Sequence, residues 1–227
     1  MIFFTHNKHM QQDFWLEKWQ NNQTGFHKEF THPLLKKFIT KLNIAKGDSI
    51  FVPLCGKTLD MIWLHEQGYK VLAVELSQLA VEQFFAENNL PYTLQKTKHF
   101  NVYCYENISI YQGDFFLLPQ DVVKNCHAIY DRAALIALPD DMVVDYADKL
   151  HELFPSNCQS LLITLEFKKK TGPLGPPFST SNAKVNRLFA KNTQCSQLYE
   201  EDIIAREARF AEQGCQYLIE RVYLLSF

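Results

Sequence analysis

The sequence predicts an α/β fold with a mostly parallel β-sheet. Apolar runs bounded by turn residues alternate with stretches of helical period, which is the pattern of β-α-β units. The 227 residues fit one α/β domain, and 47% hydrophobic with 21% charged residues supply enough apolar side chain for its core.

The first 45 residues are predicted to be helical and to precede the sheet. Residues 13–19 have the pattern of the start of an amphipathic helix. Residues 33–42 indicate a second helix, with Pro33 in its first turn, where proline is favoured.

A β-α-β unit follows. The apolar run 49–54 is typical of a buried strand, the helical pattern 59–66 stops at Gly68, and 70–75 indicates a second strand. This second strand ends in an acid, Glu75.

The next elements are a capped helix and a hairpin. Ser77 is a typical N-cap, and Asn88 and Pro91 stop the helix that it begins. Residues 100–116 are strand-like with a break near Glu106, which predicts a hairpin.

The second half alternates strands and helices. Expected in order are a strand at 128–130, a helix at 141–154, a strand at 160–167, a helix at 182–191 and a last strand at 217–227. Residues 168–182, rich in glycine and proline, are predicted to form a loop. A strand near 195–198 would form a hairpin with the last strand, which is therefore expected to run antiparallel beside parallel ones.

Charge and cysteine usage exclude several classes of protein. Lys and Arg number 23 against 25 Asp and Glu, a net charge of −2, so no broad basic field exists for nucleic acid or an anionic membrane. The six cysteines form no C-x-x-C pair, and neither a signal-peptide pattern nor 18 consecutive apolar residues occurs. We therefore expect a cytoplasmic protein with reduced thiols, a small-molecule ligand and, since no heptad repeat is present, a monomer.

Residues just past the strand ends are the candidates for ligand binding, because ligands of open α/β sheets lie outside the carboxyl ends of the strands. Glu75 follows Gly56 of the first turn by 19 positions, close to the spacing of about 20 at which an acid binds ribose hydroxyls. The turn lacks the later glycines of G-x-G-x-x-G that admit a pyrophosphate. The pattern therefore favours a nucleoside without phosphates, such as S-adenosyl-L-methionine.

Several runs recur in the order and at the spacing of one known family. They are FVPLCGK at 51–57, GYKVLAVELS at 68–77, DRAAL at 131–135, GPPF at 175–178 and ERVYLL at 220–225. With Phe14, Trp15, Trp19 and GFH at 25–27, they make the chain similar to the thiopurine S-methyltransferase family, from about Phe14 to the C-terminus.

The resemblance implies a class I S-adenosylmethionine-dependent methyltransferase fold, which is Rossmann-like. Its sheet has seven strands, mostly parallel, with the last strand antiparallel. The implied activity is methyl transfer from S-adenosyl-L-methionine to the sulfur of thiopurines or aromatic thiols, with selenium or tellurium oxyanions or another soft nucleophile as the alternative acceptors.

The resemblance also implies a role for each matched residue. The cofactor-binding residues are Trp15, Trp19, Leu54, Glu75 (ribose), Asp114 and Phe115 (adenine) and Arg132. The substrate-binding residues are Phe26, Phe178 and Arg209, and Arg132 and Arg209 are the catalytic candidates, with no metal. The resemblance implies a single methyltransferase domain over residues 1–227. Its N-terminal helical segment, 1–45, covers the site, and its Rossmann-like core, 46–227, contains an active-site loop at 168–182.

Some of these residues also have ordinary structural interpretations. Trp15 and Trp19 share one helical face, a spacing typical of core packing. Asp131 and Arg132 fit a helix-start acid beside a surface base. Cys55 is interpreted as a small buried thiol and not as a nucleophile, because no base is evident beside it.

Two other functions stay open from the sequence. One is a nicotinamide-dependent oxidoreductase on a similar fold, which the single-glycine turn disfavours. The other is a cofactor-binding or partner-binding module without catalysis, because function belongs to sites and not to folds.

Overall fold

The computed structural model describes residues 3–25, 27–154, 156–170, 175–190 and 193–227, without the side chains of 3–11. The helices are α1 Phe3–Gln20, α2 Pro33–Phe38, α3 Asp60–Glu66, α4 Gln78–Glu87, α5 Gln120–Val123, α6 Asp140–Leu153, α7 Asn182–Leu188 and α8 Ala208–Glu212. The strands are β1 Ser49–Val52, β2 Lys70–Glu75, β3 Thr93–Lys96, β4 Asn101–Tyr105, β5 Ile108–Gln112, β6 Cys126–Arg132, β7 Gln159–Phe167, β8 Gln194–Asp202 and β9 Leu218–Ser226. Within this part of the chain, no helix combines the length and apolarity that crossing a bilayer requires.

The chain divides into two compact units. The first unit comprises Met1–Pro33 and Val52–Leu118, and the second comprises Leu34–Phe51 and Pro119–Phe227.

In the first unit the strands lie in the order β3-β4-β5-β2. β2 and β5 are parallel, with Glu75 opposite Gln112, while β4 and β5 form an antiparallel hairpin. Helix α4 begins as predicted, because the Ser77 hydroxyl oxygen accepts the backbone N–H of Ala80 at 3.2 Å. The predicted N-cap and the predicted hairpin are both confirmed.

In the second unit the strands lie in the order β1-β6-β7-β9-β8. β6 is parallel to β1 and to β7, and β9 is antiparallel to β7 and to β8. The antiparallel last strand is therefore confirmed. Arg221 on β9 ties three strands together, since its guanidinium donates to Glu166 on β7 and to Glu200 on β8.

The described residues contain nine strands, where seven were expected. The sequence does not predict β3, because its four residues show no apolar alternation and are all exposed. β3 is recognised as a strand only by its pairing with β4. β8 is longer than the 195–198 strand that was expected beside β9. Helix α1 begins ten residues before the predicted start at Asp13.

The cysteines are all free thiols, as predicted. Three are buried and three are partly exposed, and none forms a disulfide.

Candidate functional site

Glu75 is the last residue of β2, and its carboxylate is buried. Oε1 accepts the backbone N–H of Ser77 at 2.8 Å, and Oε2 accepts that of Gly56 at 2.8 Å. Burial raises the pKa of Glu75, and the backbone N–H groups of Ser77, Gly56 and Leu76 oppose this rise because they stabilise the ionised form. A carboxylate offers about four acceptor positions, so this one keeps capacity for further donors such as hydroxyl groups.

The turn after β1 contains two residues in the left-handed region. Leu54 has a φ of 44° and Gly56 a φ of 54°. For a residue with a side chain this conformation costs about 1 to 2 kcal/mol, so the fold holds Leu54 in a strained conformation. Leu54 lies two residues before Gly56, whose backbone N–H donates to Glu75.

Trp19 of α1 packs against this turn. The indole is only 3% exposed, and a Cβ at position 56 would lie 3.2 Å from its Cζ2. Gly56 therefore allows the close approach of Trp19 as well as the hydrogen bond to Glu75. Trp15 is half-buried and meets the Phe14 ring edge-on, with the ring centroids 5.5 Å apart.

The Cys55 thiol is a structural group. Burial raises its pKa well above the ordinary value, and the charge of Glu75 raises it further. Its Sγ–H donates to the carbonyl of Gly56 at 3.4 Å. Because the thiol stays protonated, the interpretation of Cys55 as a nucleophile is not supported.

Asp114 follows β5, the parallel neighbour of β2, and therefore lies at the same sheet edge as Glu75. Its Oδ1 accepts the backbone N–H of Phe116 at 2.9 Å and begins the 3-10 turn Phe115–Leu117. Its Oδ2 accepts the side-chain amide N–H of Gln12 on α1 at 2.8 Å. Phe115 is buried beside it.

In the second unit, Arg132 is the last residue of β6 and is half-buried. The carboxylate of Asp131, one residue earlier, is 1% exposed; its Oδ2 accepts the Tyr146 hydroxyl at 2.7 Å and its Oδ1 the backbone N–H of Leu135 at 3.2 Å. Burial raises the pKa of Asp131 to about 6, and these hydrogen bonds limit the rise. Asp131 is thus a buried strand residue that accepts a hydrogen bond from the 3-10 turn Leu135–Ala137, and not the helix-start acid of its ordinary interpretation.

The GPPF run is attached to the same turn. The backbone N–H of Phe178 donates to the carbonyl of Ile136 at 2.7 Å. A Cβ on Gly175 would lie 2.5 Å from Cδ1 of the Phe178 ring, so the ring packs where only glycine fits. Phe178 is therefore held by the 3-10 turn that begins three residues after Arg132.

Arg209 lies on α8 and is exposed. Burial and, secondly, the charge of Arg209 lower the pKa of Lys169. The Lys169 Nζ lies 5.4 Å from the ring centroid of Phe167 and 5.9 Å from that of Phe210. Arg209 thus contributes to a positive region beside the predicted loop.

The predicted site residues fall into two groups. Trp15, Trp19, Leu54, Glu75, Asp114 and Phe115, expected on the cofactor side, belong to the first unit, and Arg132, Phe178 and Arg209 belong to the second. Phe26 and the loop residues 171–174 lie outside the described part of the chain. Sequence reasoning missed Gln12 and Tyr146, because each lies on a helix and only its partner in space, Asp114 or Asp131, identifies it.

Comparisons with known proteins identify a family. The model of the thiopurine S-methyltransferase (TPMT) family matches residues 10–226. A protein of Nitrosomonas eutropha named thiopurine S-methyltransferase is 43% identical over 217 residues, which cover 96% of this chain and 98% of that protein. A protein of the same name from Pseudomonas paraeruginosa is 42% identical over 218 residues, covering 96% and 99%.

Solved structures share the fold at low sequence identity. An S-adenosylmethionine-dependent methyltransferase from Anabaena variabilis superposes with a TM-score of 0.64 at 14% identity, covering 95% of this chain and 94% of that one. A 1,6-didemethyltoxoflavin-N1-methyltransferase from Burkholderia thailandensis, with bound S-adenosylhomocysteine, gives a TM-score of 0.62 at 9% identity, covering 98% and 90%. These likenesses confirm the predicted class I methyltransferase fold.

Proposed function

The chain belongs to the thiopurine S-methyltransferase family, and from this we propose that it transfers a methyl group from S-adenosyl-L-methionine to the sulfur of thiopurines or aromatic thiols. The observation that carries the proposal is the buried Glu75 carboxylate at the end of β2, which accepts hydrogen bonds from two backbone N–H groups and has further acceptor positions. Its placement matches an acid that binds ribose hydroxyls without a phosphate-binding turn.

The first unit supplies groups suited to the cofactor. Glu75 would accept hydrogen bonds from the ribose, and Asp114 and Phe115 would border the adenine. Trp19 would form an apolar wall beside the strained Leu54 turn. Aromatic faces attract a sulfonium by about 0.5 to 2 kcal/mol, depending on how dry the site is.

The chemistry explains why such walls would serve. S-adenosyl-L-methionine supplies an electrophilic methyl group on a sulfonium cation, and the acceptor is a thiolate or thione. With a thiolate acceptor, the opposite charges would be neutralised during transfer, so apolar walls that exclude water would favour the transition state over the separated ions. Fixing both reactants in line supplies up to roughly 7 to 11 kcal/mol in ideal cases. No covalent enzyme intermediate is needed, in keeping with the protonated Cys55.

Arg132 and Arg209 are the candidates for stabilising the acceptor anion. Among the described residues, no carboxylate lies within ion-pair distance of the Arg132 guanidinium. A positive charge near the acceptor lowers the acceptor's pKa and increases its anionic fraction. A thiopurine is already partly ionised near neutral pH, so we assign no dedicated general base.

The arginine assignment has a matched control. Arg132→Ala and Arg209→Ala should each lower kcat/KM about tenfold or more and move the rising limb of its pH profile to higher pH. Arg187→Ala, an exposed arginine on α7, should do neither. Unchanged kcat/KM and pH profiles in the first two variants would remove the anion-stabilising role.

The acceptor is tested with a substrate panel. Purified protein is given labelled S-adenosyl-L-methionine with a thiopurine, an aromatic thiol, selenite or tellurite, and the products are identified by mass spectrometry. We expect S-methylated thiopurine and thiol, with higher kcat/KM than for either oxyanion. If only the oxyanions are methylated, the acceptors are oxyanions and not thiopurines or thiols. If the folded protein methylates no acceptor, the proposed enzyme activity is contradicted.

We also propose a cytoplasmic, single-domain monomer; the free state of all six cysteines supports the cytoplasmic location. Light scattering after size exclusion should give the mass of one chain, 26.5 kDa. A mass of twice that value would show a dimer instead.

A further inference from the structure

A buried hydrogen-bond network is centred on Asp131, the residue before Arg132. Tyr146, in the middle of α6 and fully buried, donates its hydroxyl to Oδ2 of Asp131 at 2.7 Å. The other oxygen of this carboxylate accepts the backbone N–H of Leu135 at 3.2 Å. Asp131 therefore spans from α6 to the chain that follows β6.

The backbone between these anchors is strained. Ala133 has a φ of 70°, a left-handed conformation that costs an alanine about 1 to 2 kcal/mol. The Asp131 carboxylate accepts the N–H of Leu135, two residues after Ala133, so the carboxylate closes the turn in which the strain is held.

Two candidate site residues adjoin this turn. Arg132 immediately precedes Ala133 and ends β6, where it lies opposite Ile163 of β7. The backbone N–H of Phe178 bonds to the carbonyl of Ile136, in the 3-10 turn that follows.

We propose that Tyr146 is a positioning residue for methyl transfer: its hydroxyl fixes the Asp131 carboxylate, which closes the Ala133 turn and thereby holds Arg132 in its productive place. This inference rests on the proposed function. A purely structural core position would favour apolar side chains, since burying a carboxylate and a phenol is costly and apolar replacements of similar volume are often as stable. On this proposal, the network serves to fix Asp131 and, with it, the adjoining Arg132.

The test compares two buried tyrosines of the same unit. Tyr146→Phe removes a hydrogen bond to a charged group, and we expect kcat to fall about tenfold while the acceptor KM stays within about twofold, because orientation in the transition state is lost. Tyr223→Phe, on β9 and equally buried, should change kcat less than about twofold.

A double-mutant cycle shows whether the effect passes through Arg132. In an Arg132→Ala background, Tyr146→Phe should lower kcat/KM by less than about twofold, because the residue that it positions is gone. An equal loss in both backgrounds, or equal effects of Tyr146→Phe and Tyr223→Phe, would overturn the inference. The wild-type protein distinguishes failure of the proposed function from failure of this inference. If the wild type transfers no methyl group, the proposed function is wrong. If the wild type is active and the effects of the two substitutions are additive, only the positioning role of Tyr146 is wrong.

A second variant protects the test against a folding defect in Tyr146→Phe. Ala133→Gly adopts the same φ without strain and frees the turn, so thermal stability should be kept while kcat/KM falls about threefold or more. Full activity in this variant would also overturn the inference.

Discussion

Replacing Asp131 by asparagine removes a buried charge while keeping a similar shape and an acceptor for the Leu135 N–H. The pKa of Asp131 rises from 3.8 to about 6, mainly because burial penalises the ionised form. One pKa step corresponds to about 1.36 kcal/mol. Ionising this carboxylate therefore costs the folded protein about 3 kcal/mol more than the unfolded chain.

The sign of the pH dependence follows from the raised pKa. The folded protein binds the Asp131 proton more tightly than the unfolded chain, so this contribution to stability is complete below pH 3.8 and is lost as the pH rises through about 6. Between pH 4.5 and pH 7.5 the wild type should lose about 2 kcal/mol relative to Asp131→Asn, which has no proton to release there.

The assay is urea unfolding of both proteins across this pH range, followed by circular dichroism. Asp121→Asn is the control, because it removes a carboxylate whose side chain is 91% exposed, and it should track the wild type. A difference between wild type and Asp131→Asn that stays constant from pH 4.5 to pH 7.5 would refute the buried-charge assignment.

Two further predictions concern the first turn. Gly56→Ala meets the Trp19 ring at 3.2 Å and adopts a left-handed φ, so we expect a melting temperature about 3 to 6 °C lower and weaker binding of S-adenosylhomocysteine. Gly47→Ala, which also has a positive φ but no atom within 4 Å of the new Cβ, should leave that binding unchanged; equal binding by the two variants would contradict the Trp19 contact. Cys55→Ser should keep kcat within about threefold in a methyl-transfer assay, because the thiol is protonated and a hydroxyl can still donate to the Gly56 carbonyl; complete loss of activity in a folded variant would indicate a covalent role.

The strand ends could be predicted from the sequence because their signals are local. The apolar run that stops at an acid predicts Glu75 at the end of a strand, and β2 ends at that residue. The Ser77 cap follows from side-chain chemistry at one position. The hydrogen bond between Gly56 and Glu75 was not predicted, because the spacing of the two residues was interpreted only as that of a ribose-binding acid.

The partners of the site residues could not be predicted, because they depend on the packing of distant elements. Tyr146 lies 15 positions after Asp131, and Gln12 lies 102 positions before Asp114. Neither helix signals which of its polar residues faces a carboxylate. The left-handed conformation of Ala133 could not be predicted either, because alanine rarely adopts a positive φ.

The most direct test of cofactor binding at the sheet edge is calorimetric titration of the folded protein with S-adenosylhomocysteine. We expect measurable heat of binding to the wild type, affinity lowered about tenfold or more in Glu75→Gln, and unchanged affinity in Glu87→Gln, which alters a half-exposed acid of the same unit. No binding heat with folded wild type, or equal affinities in the two variants, would contradict the assignment of Glu75 to the ribose.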